Sequence, residues 1–217
     1  MSSFCLEQHL ESIYLPTPEN YSYSEAKQFS RELDLKLGLL IDEVEKGIVQ
    51  NSPQTPWAGL DPQALQTPYP EIRMILSKLE LQKGQKIVDL GAGYGRMGLV
   101  IAHFHPELQF DGYEISEERV DEGNQVLSKF KNAKLIAADI SQTSWMMPVA
   151  EVYFIYDFGD LESIVRVIDR LKEISREKKI RVVGRGRRTR DHIERQEPWL
   201  SQVHEPLHCG NFSIYQS

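Results

Sequence analysis

Ile87-Val88-Asp89-Leu90-Gly91-Ala92-Gly93-Tyr94-Gly95 is the stretch that decides the fold. An apolar run ends in Gly-x-Gly-x-Gly, and an amphipathic stretch from Met97 to Phe104 follows at once. A glycine-rich bend of this kind lets the backbone swing tightly from strand to helix. It also lets a ligand come against the main chain beside a helix N-terminus. Two acidic residues recur downstream at even spacing. Glu114 ends the run Phe110-Asp111-Gly112-Tyr113-Glu114, and Asp139 ends Leu135-Ile136-Ala137-Ala138-Asp139. Three strands, each delivering a ligand-reading group at its carboxyl end, describe a nucleoside-binding crevice in a doubly wound sheet.

Two nucleoside readings compete. In the dinucleotide fingerprint Gly-x-Gly-x-x-Gly the first glycine directly follows the strand, with an acidic partner about 20 residues on. Gly93, Gly95 and Gly98 match its letters, and Glu114 stands near the acidic position. The residue that directly follows the strand is Gly91, however, and in that frame Arg96 stands where the third glycine belongs. The order apolar-apolar-Asp-apolar-Gly-x-Gly-x-Gly instead resembles the first motif of the class I S-adenosylmethionine-dependent methyltransferases, matched by Val88 to Gly95. Their ligand has no pyrophosphate, so the third glycine is free to move. The resemblance implies S-adenosyl-L-methionine as cofactor. It places Asp89, Gly91, Ala92 and Gly93 at the methionine moiety, Glu114 at the ribose hydroxyls, and Asp139 with Ile140 at the adenine. A carboxylate at the end of the second strand can accept both ribose hydroxyls.

Composition narrows the classes. The chain has 217 residues, is 41% hydrophobic and carries a formal net charge of -7. Its length suits one domain with an extension, and its acidity argues against general nucleic-acid binding, which wants a basic face. No run approaches the length of a membrane span, and no basic-then-apolar leader opens the sequence. A cytoplasmic protein without a membrane partner is expected. Cys5 and Cys209 lie at opposite ends with no paired spacing, so reduced thiols are expected, with neither disulfide nor metal site.

Periodicity gives the layout. Residues 1 to about 20 show no period and read as a loose arm. Phe29, Leu33, Leu37, Leu40, Ile41 and Val44 predict one helix over 24–49, capped at Ser24 and stopped near Gly47. Pro53, Pro56, Pro62, Pro68 and Pro70 mark a lid or linker. Beyond it, strands and helices alternate, which predicts parallel pairing with right-handed crossovers. The last two strands, near 200–204 and 212–215, predict an antiparallel hairpin at the sheet edge. The expected fold is α/β, a three-layer doubly wound seven-stranded sheet, mostly parallel with the last strand antiparallel, and an N-terminal helical extension. Residues 1–65 form the arm, helix and proline-rich lid, and residues 66–217 the Rossmann-like methyltransferase domain.

In this fold the end of the fourth strand abuts the transferred methyl group, and here it reads Tyr156-Asp157-Phe158. These three residues are the candidate catalytic set. A polar residue followed by an aromatic resembles the fourth motif of amino-group methyltransferases, here without the prolines that follow in theirs. The same ending, with Gln66-Thr67-Pro68-Tyr69-Pro70-Glu71 upstream, resembles in layout the nucleosomal histone lysine (Dot-type) methyltransferases. That likeness implies that Tyr69 folds over the cofactor and that a protein lysine is the acceptor. Small-molecule or nucleic-acid acceptors, or a cofactor-binding regulatory module without turnover, remain as alternatives. Arg181, Arg185, Arg187, Arg188, Arg190 and Arg195 form the one basic cluster in an acidic chain. They read either as a solvated turn and helix face or as a contact for an anionic acceptor.

Overall fold

The computed structural model describes residues 3–14, 22–51 and 60–217. Three helices precede the sheet: α1 (Ser3–Glu11), α2 (Tyr23–Leu37) and α3 (Ile41–Asn51). The expected loose arm is therefore partly helical, and Leu10 and Ile13 at its end are buried in the core. Arg73 holds the Ile13 carbonyl at 3.1 Å. The single helix expected over 24–49 is two. Ser22, and not Ser24, starts α2 through a reciprocal capping box with Glu25. Gly38 ends it with φ 88, a left-handed conformation that glycine adopts without a Cβ clash. The chain then turns, and the Leu40 amide donates to Glu122 at 2.6 Å. Pro16, Pro18, Pro53 and Pro56 lie outside the described residues.

The remaining elements run α4 (Tyr69–Ser77), β1 (Lys86–Leu90), α5 (Arg96–Phe104), β2 (Gln109–Glu114), α6 (Glu117–Leu127), β3 (Ala133–Ala137), β4 (Val152–Tyr156), α7 (Leu161–Ser175), β5 (Arg181–Arg185), α8 (Arg187–Gln196), α9 (Pro198–Ser201), β6 (Leu207–Cys209) and β7 (Phe212–Gln216). The seven strands lie in the order β3-β2-β1-β4-β5-β7-β6. Strands β1 to β5 pair in parallel, and β7 runs antiparallel to both β5 and β6. The outer strand of the hairpin is 207–209. The strand expected near 200 is instead α9, opened by Pro198 at a first-turn position where its missing N–H costs nothing. Leu200 on it is fully buried.

Successive strand residues point to opposite faces, and the core divides accordingly. Ile87, Phe110, Leu135, Phe154 and Val183 pack beneath α4, α5, α6 and the N-terminal helices. Val88, Leu90, Tyr153, Ile155 and Val182 pack against Ile164, Val167 and Ile193 of α7 and α8. Strand order reverses between β1 and β4. The carboxyl ends of β1, β2 and β4 therefore open onto one crevice at the switch point, where doubly wound sheets bind ligands.

Candidate active site

The loop after β1 is built to be approached. Gly91, Gly93 and Gly95 all have positive φ, at 90, 55 and 77. The Gly91 and Ala92 amides both donate to the Tyr113 carbonyl at 2.9 Å, which fixes the loop to the end of β2. Side chains crowd the bare α-carbons. A Cβ on Gly91 would lie 3.0 Å from Cβ of Phe158, and one on Gly93 would lie 2.8 Å from the Gln66 amide nitrogen.

A cavity of about 510 Å³ opens above this loop. Gly91, Gly93, Glu114, Asp139, Ile140, Tyr156, Asp157 and Phe158, singled out on separate strands and loops, all line it. Glu114 is 5% exposed and accepts the Gly93 amide at 2.9 Å and the Ser116 amide at 3.1 Å. Arg119 approaches it at 3.5 Å and is otherwise clamped by both oxygens of Glu45 from α3, at 2.8 and 3.1 Å. Asp139 accepts from the Ser141 hydroxyl and the Gln142 amide, which hold its carboxyl below the ordinary range. Asp89 and Ala92 instead line a narrow recess of about 40 Å³ next to the cavity, joined to it through Gln66, Gly91 and Tyr156. Burial, with the Glu114 carboxylate nearby, pushes the Asp89 carboxyl up to about 7.

Two expected residues do other work. Tyr69 does not touch the cavity. It is fully buried, its amide donates to the Ser30 hydroxyl at 2.9 Å, and its own hydroxyl donates to Asp34 at 3.0 Å. From the segment before it, Gln66 reaches the glycine loop. Asp157 lines the cavity with a carboxylate already engaged. One oxygen accepts the amide and hydroxyl of Thr189, both at 2.9 Å, and the other accepts the Arg188 amide at 3.1 Å. It thus caps the N-terminus of α8 from the end of β4, while Asp160 caps α7. Tyr156 is pinned by a bond from its hydroxyl to the Ala64 carbonyl at 3.0 Å, and the Arg185 guanidinium stacks 4.0 Å from its ring centre. Arg119, Tyr113 and Ile115, which the motif reading passed over, also line the cavity. Tyr113 and Ile115 flank Glu114 in sequence, and Arg119 follows in the first turn of α6, which is the signal that marks them.

The residues fit an S-adenosylmethionine-sized ligand. The cavity lies within the range of small-molecule sites, Gly91 and Gly93 of the loop line it, and carboxylates stand at two strand ends. Residues 71–149 match the family model described as a methyltransferase small domain. No curated protein matches the chain. Among solved structures, a mutant of MtNAS in complex with S-adenosylmethionine aligns at 13% identity and TM-score 0.51, over 97% of this chain and 88% of that one. The C-terminal domain of precorrin-6Y C5,15-methyltransferase from Rhodobacter capsulatus aligns at 14% identity and TM-score 0.50, over 70% of this chain and 90% of that one. Both share its fold. The matched segment and these alignments show the fold, a seven-stranded Rossmann-like sheet of the kind that class I methyltransferases share. Among the described residues no helix is long and apolar enough to cross a membrane.

Proposed function

We propose that this protein methylates a nitrogen acceptor, with S-adenosylmethionine held in the 510 Å³ cavity and the acceptor arriving past Tyr156 and Phe158. Glu114 takes the ribose hydroxyls, Asp139 and Ile140 the adenine, and the Gly91-Ala92-Gly93 backbone with Asp89 the methionine end. When bound, the cofactor supplies a methyl group on a sulfonium, which the acceptor's lone pair displaces. The protein's own task is to align and to dry. Tyr156 is held rigid by Ala64 and Arg185, and Phe158 covers Gly91, so both rings keep water from the reacting side. A protonated amine entering between them loses hydration, which lowers its pKa from the ordinary value of about 10.4 toward neutrality. Asp157 serves here as a positioning residue. By holding the start of α8 it fixes the loop that carries Phe158.

Residues 1–65 are assigned to an acceptor-side extension and 66–217 to the methyl-transfer domain. The family-model match over residues 71–149 falls wholly within the second part. A protein lysine, the acceptor favoured by the sequence, is left with the aromatic wall alone as its support, since Tyr69 and the Asp157 carboxylate are committed elsewhere, and a small-molecule acceptor is the competing reading. The observation that carries the proposal is the convergence of Glu114, Asp139 and Tyr156 on one cavity around the glycine loop. Titration calorimetry tests it. S-adenosylhomocysteine should bind the wild type with micromolar affinity and Glu114→Ala at least tenfold more weakly. Equal heats would remove Glu114 from the ribose role.

A further inference from the structure

A second cavity, of about 400 Å³, borders Tyr156 at the end of β4 and Arg185 at the end of β5. Tyr156 lines both it and the 510 Å³ cavity and is the one lining residue the two share. Tyr23, Arg187, Arg190, Asp191 and Glu194 line the second chamber. We infer that this chamber is the acceptor site, and that the acceptor is a small molecule carrying a carboxylate or phosphate group. The inference rests on the methyltransferase reading above and names its substrate class.

Arg190 carries the argument. Its Nε donates to the Ser213 hydroxyl at 3.0 Å and its Nη1 to the Gly210 carbonyl at 2.7 Å. Both partners are neutral, and among the described residues no carboxylate lies within ion-pair distance of it. A guanidinium has five donors in a fixed fork. Arg190 therefore stands preorganised with its charge uncompensated, facing an open chamber. Arg187 adds a second guanidinium, 90% exposed and paired only with Asp191 at 3.3 Å within its own helix, a contact of the weak surface kind. Arg185 does not compete for the ligand. Glu71 holds it through both oxygens, and its remaining Nη2 contact is to the Tyr23 hydroxyl at 2.6 Å. The acids of the wall are engaged too. Glu194 accepts the Tyr215 hydroxyl at 2.9 Å and lies 3.6 Å from His208, and Asp191 faces Arg187 and Arg195.

Size and charge choose between ligands. The chamber has the volume of a small-molecule site and not the length of a polymer groove. The chain as a whole carries -7, which repels a polyanion such as RNA, while a local guanidinium pair still attracts a single oxyanion. An acceptor anchored by its oxyanion on Arg190 and Arg187 has its opposite end directed at Tyr156, the side from which the methyl group is reached.

Calorimetry on the full chain with S-adenosylhomocysteine bound tests this, with inorganic phosphate and succinate as separate probes. At least one should bind the wild type, and Arg190→Gln should weaken it tenfold or more while leaving the affinity for S-adenosylhomocysteine within twofold. Arg187→Gln, on an exposed side chain, should weaken it about threefold and serves if the first variant does not fold. The probe that binds distinguishes phosphate from carboxylate. A second arm supplies labelled cofactor to a cell extract, and label should enter low-mass compounds retained on an anion exchanger. Binding of neither probe, equal binding in both variants, or label confined to protein or RNA would each overturn the inference. Loss of S-adenosylhomocysteine binding by the wild type would instead overturn the methyltransferase reading beneath it.

Discussion

The Asp34 carboxylate of α2 is paired with the Arg96 guanidinium, the first residue of α5 after the glycine loop, and each side chain is 2% exposed. Gln63 accepts from the same guanidinium at 2.6 Å, and Tyr69 donates to the same carboxylate. The N-terminal extension is thereby locked to the helix that follows the glycine loop. Burial pushes the Asp34 carboxyl up against the pull of Arg96. Asp34→Ala should leave a buried unpaired cation and cost about 3–5 kcal/mol of stability, as removal of one partner of a buried pair does. Chemical denaturation measures it. Tyr69→Phe, which removes one hydrogen bond to that carboxylate, should cost about 1 kcal/mol and leave cofactor affinity unchanged. A selective loss of cofactor binding in Tyr69→Phe would return Tyr69 to the site.

Asp157 gives a second expectation. Because its carboxylate accepts the amides of Arg188 and Thr189, Asp157→Ala should lower stability by about 1 kcal/mol, the usual worth of a helix cap. Thermal unfolding would show it. Asp157→Asn, which keeps an acceptor oxygen, should recover most of the loss and much of the turnover. Full stability with abolished turnover in both variants would mark Asp157 as a proton acceptor and not a cap.

Asp89 predicts a pH dependence. Its carboxyl is raised to about 7 in the folded, unliganded protein. Below that pH it is neutral and offers no charge to the ammonium end of the ligand, and above it is ionised and does. Affinity for S-adenosylhomocysteine should therefore rise between pH 6 and 8, by up to about tenfold per pH unit below the pKa if only the ionised form binds. In Asp89→Asn the rise should flatten. An identical profile in the two proteins would show that Asp89 does not face the ligand.

The glycine loop yields a steric test. Gly93 has φ 55, and a Cβ there would meet Gln66 at 2.8 Å. Gly93→Ala should weaken cofactor binding through the displaced loop, and Gln66→Ala, which opens the space, should not rescue the strained backbone. Calorimetry of the single and double variants separates the two effects. Full rescue by Gln66→Ala would make the effect purely one of crowding.

The parts of the fold legible in the sequence were those with local causes. The strand into Gly91, the acids closing β2 and β3, and the alternation of strands and helices each follow from a short period or a bend that needs glycine. The break at Gly38 was hidden because Leu37, Leu40, Ile41 and Val44 keep helical spacing across it. Only the left-handed geometry of Gly38 shows that α3 turns away. Strand β6 was misplaced because Leu200 and Val203 carry more apolar character than the true edge strand, where Leu207 is exposed. At the site, residues set by strand ends came together, while Tyr69 and Asp157 were drawn off by partners far along the chain. Asp34 is separated from Tyr69, and Thr189 from Asp157, by stretches that no local pattern spans.

The structure of the complex with S-adenosylhomocysteine tests the central claim most directly. The account predicts both ribose hydroxyls within hydrogen-bond reach of Glu114, the adenine between Asp139 and Ile140, and the sulfur beside Tyr156 and Phe158 at the opening toward Arg190. A ligand seated away from Glu114, or a cavity that takes NAD and refuses S-adenosylhomocysteine, would contradict it.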